Sequence, residues 1–229
     1  HNPWHDNGIK LIAADGSKFS DMVTSALEEL IAKGEFALSP EKIGRVSSEE
    51  TLVNKYIVQA MSAMPDGKPL KGLRVVLDCA NGVFSEIMPK VFMELGAGVI
   101  ATGNKPDGWN INKDCGSQHI EKMVETVLGS HAQLGIAVDG DGDRIIICDE
   151  KGVRLDGDQV IAFLGRYLKE KSLLKGNTVV ATIVSNPALD RFLQAAGIDC
   201  VRSGVGERYV IEEMKKHGAN VGGEESGHM

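Results

Sequence analysis

The sequence predicts an α/β protein made of consecutive units with mixed, mostly parallel sheets. Three observations carry this. From residue 73 onward, short apolar runs alternate with amphipathic stretches at helical spacing, the strand–helix–strand rhythm of a mostly parallel sheet. The runs Leu134 to Val138 and Ile145 to Cys148 are continuous and rich in β-branched residues, which suits strands buried on both faces. After Asp156-Gly157-Asp158 the alternation starts again, so a second unit of similar size follows the first.

In chain order, Asn2-Pro3 and Asp6-Asn7-Gly8 mark turns before Ile9-Lys10-Leu11-Ile12, a short strand by pattern, and Asp15-Gly16 turns the chain again. Met22, Val23, Leu27, Leu30 and Ile31 fall at helical spacing behind Ser20 as N-cap, and Gly34 stops that helix. Ala37 to Ser48 is a weakly patterned connection. Glu49 to Met64 is a helix ended by Pro65-Asp66-Gly67, with a domain boundary within or near it. A strand over Leu73 to Cys79 runs into Asn81-Gly82. The helix from about Ser85 to Leu95 has Pro89 in its first turn, where a missing N–H costs little. Gly96 to Thr102 is a second strand, Gly103 to Gly116 a loop, and His119 to Leu128 a helix. In the second unit, Val160 to Leu168, Arg208 to Lys216 and the stretch opened by Asn186-Pro187 are helices. Thr178 to Val184, Ile198 to Arg202 and the start at Asn220 to Gly222 are strands.

The 229 residues suffice for more than one core, and 42% apolar with 25% charged residues is ordinary for a globular protein. A net charge of −7 leaves no electrostatic footprint for nucleic acid or an anionic membrane. No apolar run approaches spanning length, and the N-terminus has no signal-peptide pattern. The four cysteines, Cys79, Cys115, Cys148 and Cys200, form no CxxC pair, which fits reduced core thiols in a cytoplasmic protein. The chain opens on His1-Asn2-Pro3 without Met and stops at Gly227-His228-Met229 with no closing element, so a piece of a longer protein is expected.

The chemistry concentrates between the two apolar runs, in Asp139-Gly140-Asp141-Gly142-Asp143-Arg144. Three carboxylates alternating with glycine on one tight turn repel one another, and a hard divalent cation with oxygen ligands, Mg²⁺ or Ca²⁺, relieves the repulsion. A polar surface turn would also use Asp and Gly, but rarely three aspartates between apolar strands. An EF-hand does not fit, because its sixth position needs glycine and here is Arg144, and the flanks are strands. Arg144 suits a phosphate or carboxylate partner, or equally a surface salt bridge to Asp149 or Glu150. Gly223-Glu224-Glu225-Ser226-Gly227-His228 places a carboxylate, a hydroxyl and an imidazole among glycines. Glu224 and Ser226 can bond vicinal hydroxyls, as a sugar offers, and His228 can move a proton near neutral pH; a solvated glycine-rich turn is the plain alternative. Both motifs follow strands, where open α/β sheets gather ligands.

Together these segments resemble the α-D-phosphohexomutase superfamily along essentially the whole chain, and within it the phosphoglucosamine mutase branch. His1-Asn2-Pro3 with Asp6-Asn7-Gly8-Ile9-Lys10 is similar to the segment after that family's phosphoserine. Asp139 to Arg144 is similar to its metal loop, and Gly223 to His228 to its sugar-binding loop. Asn110-Ile111-Asn112 with Cys115-Gly116-Ser117, and Val205-Gly206-Glu207-Arg208-Tyr209, favour the glucosamine branch, although Glu207 stands where relatives more often carry Asp and Glu225 where Gln or Met is common.

The resemblance implies three-layer α/β/α units in a four-domain protein. Residues 1–52 would end domain one, 53–153 would form domain two, and 154–229 most of domain three. It implies interconversion of glucosamine 6-phosphate and glucosamine 1-phosphate through a phosphoserine and a bisphosphate intermediate. One Mg²⁺ would sit on Asp139, Asp141 and Asp143. Arg144, Glu224 and Ser226 would bind substrate, and Lys10 or His228 would be the acid or base. The nucleophilic serine is expected immediately before His1, outside this chain, so the fragment alone is expected to be inactive. The partner implied is a small sugar phosphate, with no nucleic acid or membrane, and a homodimer is left open for the full-length protein. The competing readings are a phosphomannomutase or phosphoglucomutase, and a metal- and sugar-binding fragment without turnover.

Overall fold

The computed structural model describes residues 2–6, 8–34, 45, 47, 49–65 and 67–229. His1, and the connection expected over Ala37 to Ser48 apart from Arg45 and Ser47, lie outside the described residues. The chain forms two compact units, one of residues 7–58 and one of residues 1–6 with 59–229.

In the first unit, helix α1 (Asp21–Lys33) starts where Ser20 accepts from the Val23 N–H and ends at Gly34, whose φ of 65° provides the left-handed cap. The strand expected over Ile9 to Ile12 does not form. Ile12 makes one isolated antiparallel bridge to Lys18 around a turn in which the Gly16 N–H donates to Ala13 O. A single bridged pair gives no ladder, and lone hairpins of this size are marginal in water. Helix α2 (Glu50–Met61) follows and crosses the boundary between the units.

The larger unit contains two sheets. The first has strand order β2-β1-β3-β4-β5, from β1 (Arg74–Asp78), β2 (Gly98–Thr102), β3 (Leu134–Val138), β4 (Ile145–Asp149) and β5 (Arg154–Leu155). β1 pairs parallel with β2 and β3, whereas β3–β4 and β4–β5 are antiparallel, so the sheet is mixed. Side chains of β1 alternate between faces. Val75 and Leu77 join Met88 of α3 (Ile87–Glu94), Ile136 and Val138 on one side. Val76 joins Met123 and Val127 of α4 (Glu121–Ser130), Ala137 and Cys148 on the other. These two clusters make three layers, helix–sheet–helix. Pro89 sits in the first turn of α3, as its missing N–H requires.

The second sheet is wholly parallel, in the order β7-β6-β8: β6 (Thr178–Thr182) lies between β7 (Asp199–Ser203) and β8 (Gly222–Gly223). Its core brings Val179 and Ala181 against Ile161 of α5 (Gly157–Glu170) and Leu189 and Leu193 of α6 (Pro187–Ala195). Val210 of α7 (Glu207–His217) is also buried. Helix α5 begins three residues before the apolar pattern does, because Asp156 and Gln159 close a reciprocal capping box. Strand β5 has only two residues, too few to leave a periodic signal.

All four thiols are free. Burial pushes Cys79 up to about 12, helped by the charge of Asp78, and burial pushes Cys200 to about 12, helped by Asp190. They are protonated core groups, poor nucleophiles at neutral pH. Among the described residues, no helix is long and apolar enough to cross a membrane.

Candidate active site

The aspartate motif occupies the hairpin between β3 and β4. Val138 pairs with Ile145, and the Gly142 N–H donates to Asp139 O (3.0 Å), which closes a tight turn. Asp139, at the end of buried β3, is only 1% exposed, and its Oδ1 accepts from the Arg144 N–H (3.1 Å). Asp141 is exposed and Asp143 half-buried, yet one carboxylate oxygen from each of the three lies within 4.8 Å of the others. Three oxygen donors converging on one point, one on a buried carboxylate, match the preference of a hard divalent cation. Arg144 points its Nε at Asp139 Oδ2 (4.0 Å), and that buried nitrogen has no hydrogen-bond partner among the described residues. The surface pair with Asp149 or Glu150 is not formed. Asp149 Oδ1 instead accepts from the Lys151 and Val153 N–H groups of its own turn.

Close packing holds the hairpin tip in place. A Cβ on Gly82 would lie 2.1 Å from Gly140 O, and one on Gly142, whose φ is 72°, would lie 1.9 Å from the Phe84 ring. The Val83 N–H donates to Gly140 O (3.0 Å), and the Gly140 N–H donates to Asn112 Oδ1 (2.8 Å). The chain after β1 reaches this position through a left-handed pair, Ala80 and Asn81 (φ 53° and 50°). Fully buried Asp78 fixes that turn by accepting from the Ala80 N–H and, across the loop, the Gly116 N–H (3.0 Å each).

The second motif leaves β8 in a turn closed by Gly227 N–H to Glu224 O (3.0 Å). Its contacts bring it to the aspartate hairpin: the Ile145 N–H donates to Gly227 O (3.0 Å), and a Cβ on Gly227 would lie 2.1 Å from Ile145 O. The Gly157 N–H donates to Glu225 O (3.0 Å) from the other side. Residues about 80 positions apart in sequence are thus adjacent, with Arg144 immediately before the joint. Glu224 uses Oε1 to accept from the Gly206 N–H (2.8 Å), which ties the turn to the loop that opens α7. His228 Nε2 lies 3.7 Å from Glu207 Oε2. The Ser226 hydroxyl, buried at its oxygen, has no hydrogen-bond partner among the described residues.

The structure therefore brings Asp139, Asp141, Asp143, Arg144 and the turn bearing Glu224, Ser226 and His228 into one region. Lys10, exposed, belongs to the smaller unit. In the sequence Asn112 and Glu207 serve only as marks of the glucosamine branch, with no role in the site, and Phe84 is not singled out. The signals were faint: two asparagines in a loop, one aromatic after Asn-Gly, and one acidic residue opening a helix.

Comparison with known proteins shows the family and the fold. The sequence matches the phosphoglucomutase/phosphomannomutase family in its alpha/beta/alpha domain II over residues 54–152 and its alpha/beta/alpha domain III over residues 156–229. It is 46% identical over 231 residues to a phosphoglucosamine mutase of Rhodospirillum rubrum, aligned over 100% of this chain and 51% of that protein. It is 47% identical to a phosphoglucosamine mutase of Rhodospirillum centenum, over 100% of this chain and 50% of that one. The chain thus spans about half the length of the curated relatives it matches. Among solved structures, a putative phosphomannomutase from Thermus thermophilus shares the fold at a TM-score of 0.76 and 20% identity, over 93% of this chain and 48% of that one. The chain belongs to the phosphoglucomutase/phosphomannomutase family, the α-D-phosphohexomutases.

Proposed function

We propose that this chain is the central part of a phosphoglucosamine mutase, which interconverts glucosamine 6-phosphate and glucosamine 1-phosphate through a phosphoserine and a bisphosphate intermediate. The observation that carries this reading is the joint between the two motifs, the hydrogen bond from Ile145 N–H to Gly227 O, which seats a sugar-binding turn beside a cluster of three carboxylates. The named relatives at 46–47% identity support the choice of sugar. In the domain reading, 1–52, 53–153 and 154–229, the second and third units are supported by the family matches over 54–152 and 156–229.

Phosphoryl transfer depends on charge neutralisation and positioning more than on covalent help. Asp139, Asp141 and Asp143 would hold one Mg²⁺, which when bound neutralises charge on the transferring phosphoryl group. Arg144, braced by Asp139, adds fixed positive charge at the hairpin. Glu224 and Ser226 face the hydroxyls of the sugar, and the unpartnered Ser226 oxygen fits such a role. A sugar hydroxyl attacks phosphorus and passes its proton to a base, while the bond to a serine N-terminal to His1 breaks and the serine oxygen takes up a proton from an acid, with Lys10 and His228 as the candidates for base and acid. The bisphosphate then presents its other phosphate, which returns to the serine. A second phosphate contact from beyond this chain is expected, since the chain covers half of its relatives. Four free cysteines fit a cytoplasmic setting.

A coupled assay of the full-length protein on glucosamine, mannose and glucose phosphates tests the proposal. The glucosamine substrate should give the highest kcat/KM. Equal turnover of all three, or a preference for mannose or glucose, would replace it with another mutase of the family.

A further inference from the structure

Asn112 lies in the loop between β2 and α4, in a left-handed conformation (φ 57°) fixed by its N–H donating to Ala80 O (2.9 Å). Its carboxamide is used at both ends. Oδ1 accepts from the Gly140 N–H (2.8 Å), between the first two aspartates of the hairpin, and Nδ2 donates to Asn2 O (3.0 Å). Those partners fix the orientation of the amide, because a flipped group would set N–H against N–H and carbonyl against carbonyl. Asp in this place keeps the acceptor and loses the donor, and Ser offers one atom where two are needed. The same two segments meet again two residues on, where the Trp4 ring packs edge-on against Trp109 with centroids 4.3 Å apart.

We propose that Asn112 is a positioning residue: its single side chain docks the segment of residues 2–6 onto the aspartate hairpin, with the Trp4–Trp109 contact as the second point of attachment. The inference rests on the proposed function only in giving this docking a purpose, because the family's phosphoserine is expected at the N-terminal end of that segment. A one-atom bridge would transmit position poorly. A planar amide that donates in one direction and accepts in the other fixes both partners in one plane.

The sequence has two tryptophans, Trp4 and Trp109, so the ring pair supplies its own signal in this chain. Near-UV circular dichroism of the 229-residue chain should show a tryptophan contribution that Trp109→Phe abolishes. In Asn112→Asp, which keeps an acceptor for the Gly140 N–H, that contribution should be lost while far-UV dichroism and melting stay those of a folded protein. Hydrogen exchange on the same samples covers the case in which a variant is globally weakened: the Asp6 amide, which donates to Pro3 O in the docked segment, should lose protection before those of β1 and β3. In the full-length enzyme, Asn112→Asp should lower kcat with KM little changed, as positioning of the phosphoryl donor predicts. An unaltered tryptophan signal, with unaltered exchange at Asp6, would overturn the proposal. Calorimetry with MgCl₂ on the wild-type chain is independent of these readouts. Failure to bind Mg²⁺ would remove the metal reading, and the comparison of Asn112→Asp with wild type would still decide the docking role.

Discussion

Gly142 shows how narrowly single residues constrain the site. Its φ of 72° and the Phe84 ring 1.9 Å from a built Cβ oppose any side chain. Gly142→Ala combines left-handed strain with overpacking, so denaturant titration should show a loss of about 2–5 kcal/mol. A loss under about 0.5 kcal/mol, the usual range for surface positions, would mean the hairpin tip is free to move. Glu224 is doubly committed, since the carboxylate assigned to the sugar also accepts from the Gly206 N–H. Glu224→Ala should cost about 1.5–3 kcal/mol as a lost charge-assisted hydrogen bond, whereas Glu224→Gln should keep most of that stability. The aspartates and the Glu-Glu-Ser-Gly-His turn were legible in the sequence because chemistry requires those residue types close together. Asn112 and Phe84 were not, because their roles depend on which loops fold against the hairpin, and no local pattern encodes that.

At the scale of elements, periodicity and end signals located the helices and strands wherever the two agreed. Ser20, Gly34, Asn186-Pro187 and the runs 134–138 and 145–148 are such places. The start of α5 was legible only through its cap, because Asp156-Gly157-Asp158 also satisfies the pattern of a turn. The Ile9–Ile12 run had strand composition, but among the described residues it makes one bridge, Ile12 to Lys18, with Leu11 O accepting from the Phe19 N–H beside it. The packing of β6, α6 and β7 also depends on Arg202. It pairs with Asp190 (Nε to Oδ1 3.2 Å) and donates to the carbonyls of Thr182 and Ser185 (2.6 and 3.3 Å). The hydrogen bond from Arg202 holds Asp190 below its ordinary value. A carboxylate depressed on folding adds stability that is fully present above its unfolded pKa and is lost as pH falls through the folded one. Asp190→Asn should therefore destabilise the protein near neutral pH and flatten the acid limb of a melting-temperature profile below about pH 4, the unfolded range of Asp. Parallel profiles for the two proteins would show that the pair contributes nothing, as exposed pairs often do.

For the whole molecule, the decisive relation is between the two sheets of the larger unit. The proposed function needs both motifs, the aspartate turn for the cation and the glycine-rich turn for the sugar hydroxyls. Gly227 lets the second turn approach the first, since a Cβ there would meet Ile145 O at 2.1 Å, and Gly157 seats the same turn on the start of α5, where a Cβ would meet Glu224 O at 2.0 Å. Backbone cannot swing aside as a flexible side chain does. Gly227→Ala should therefore separate the turns and weaken sugar-phosphate binding by the full-length protein more than it weakens Mg²⁺ binding. Equal loss of both would place the defect in the fold rather than at the joint. This relation was only partly legible in the sequence. Motif order suggested it, but a contact between residues 145 and 227 is set by how the two sheets dock.

Asp139, Asp141 and Asp143 are proposed to form one divalent-cation site, and titration calorimetry of MgCl₂ into the 229-residue chain decides whether they do. Saturable binding of one Mg²⁺ per chain is predicted, weakened severalfold or abolished in Asp141→Asn, a change at an exposed position that should leave the fold intact. No saturable binding by the wild-type chain, or equal affinity in Asp141→Asn, would contradict it.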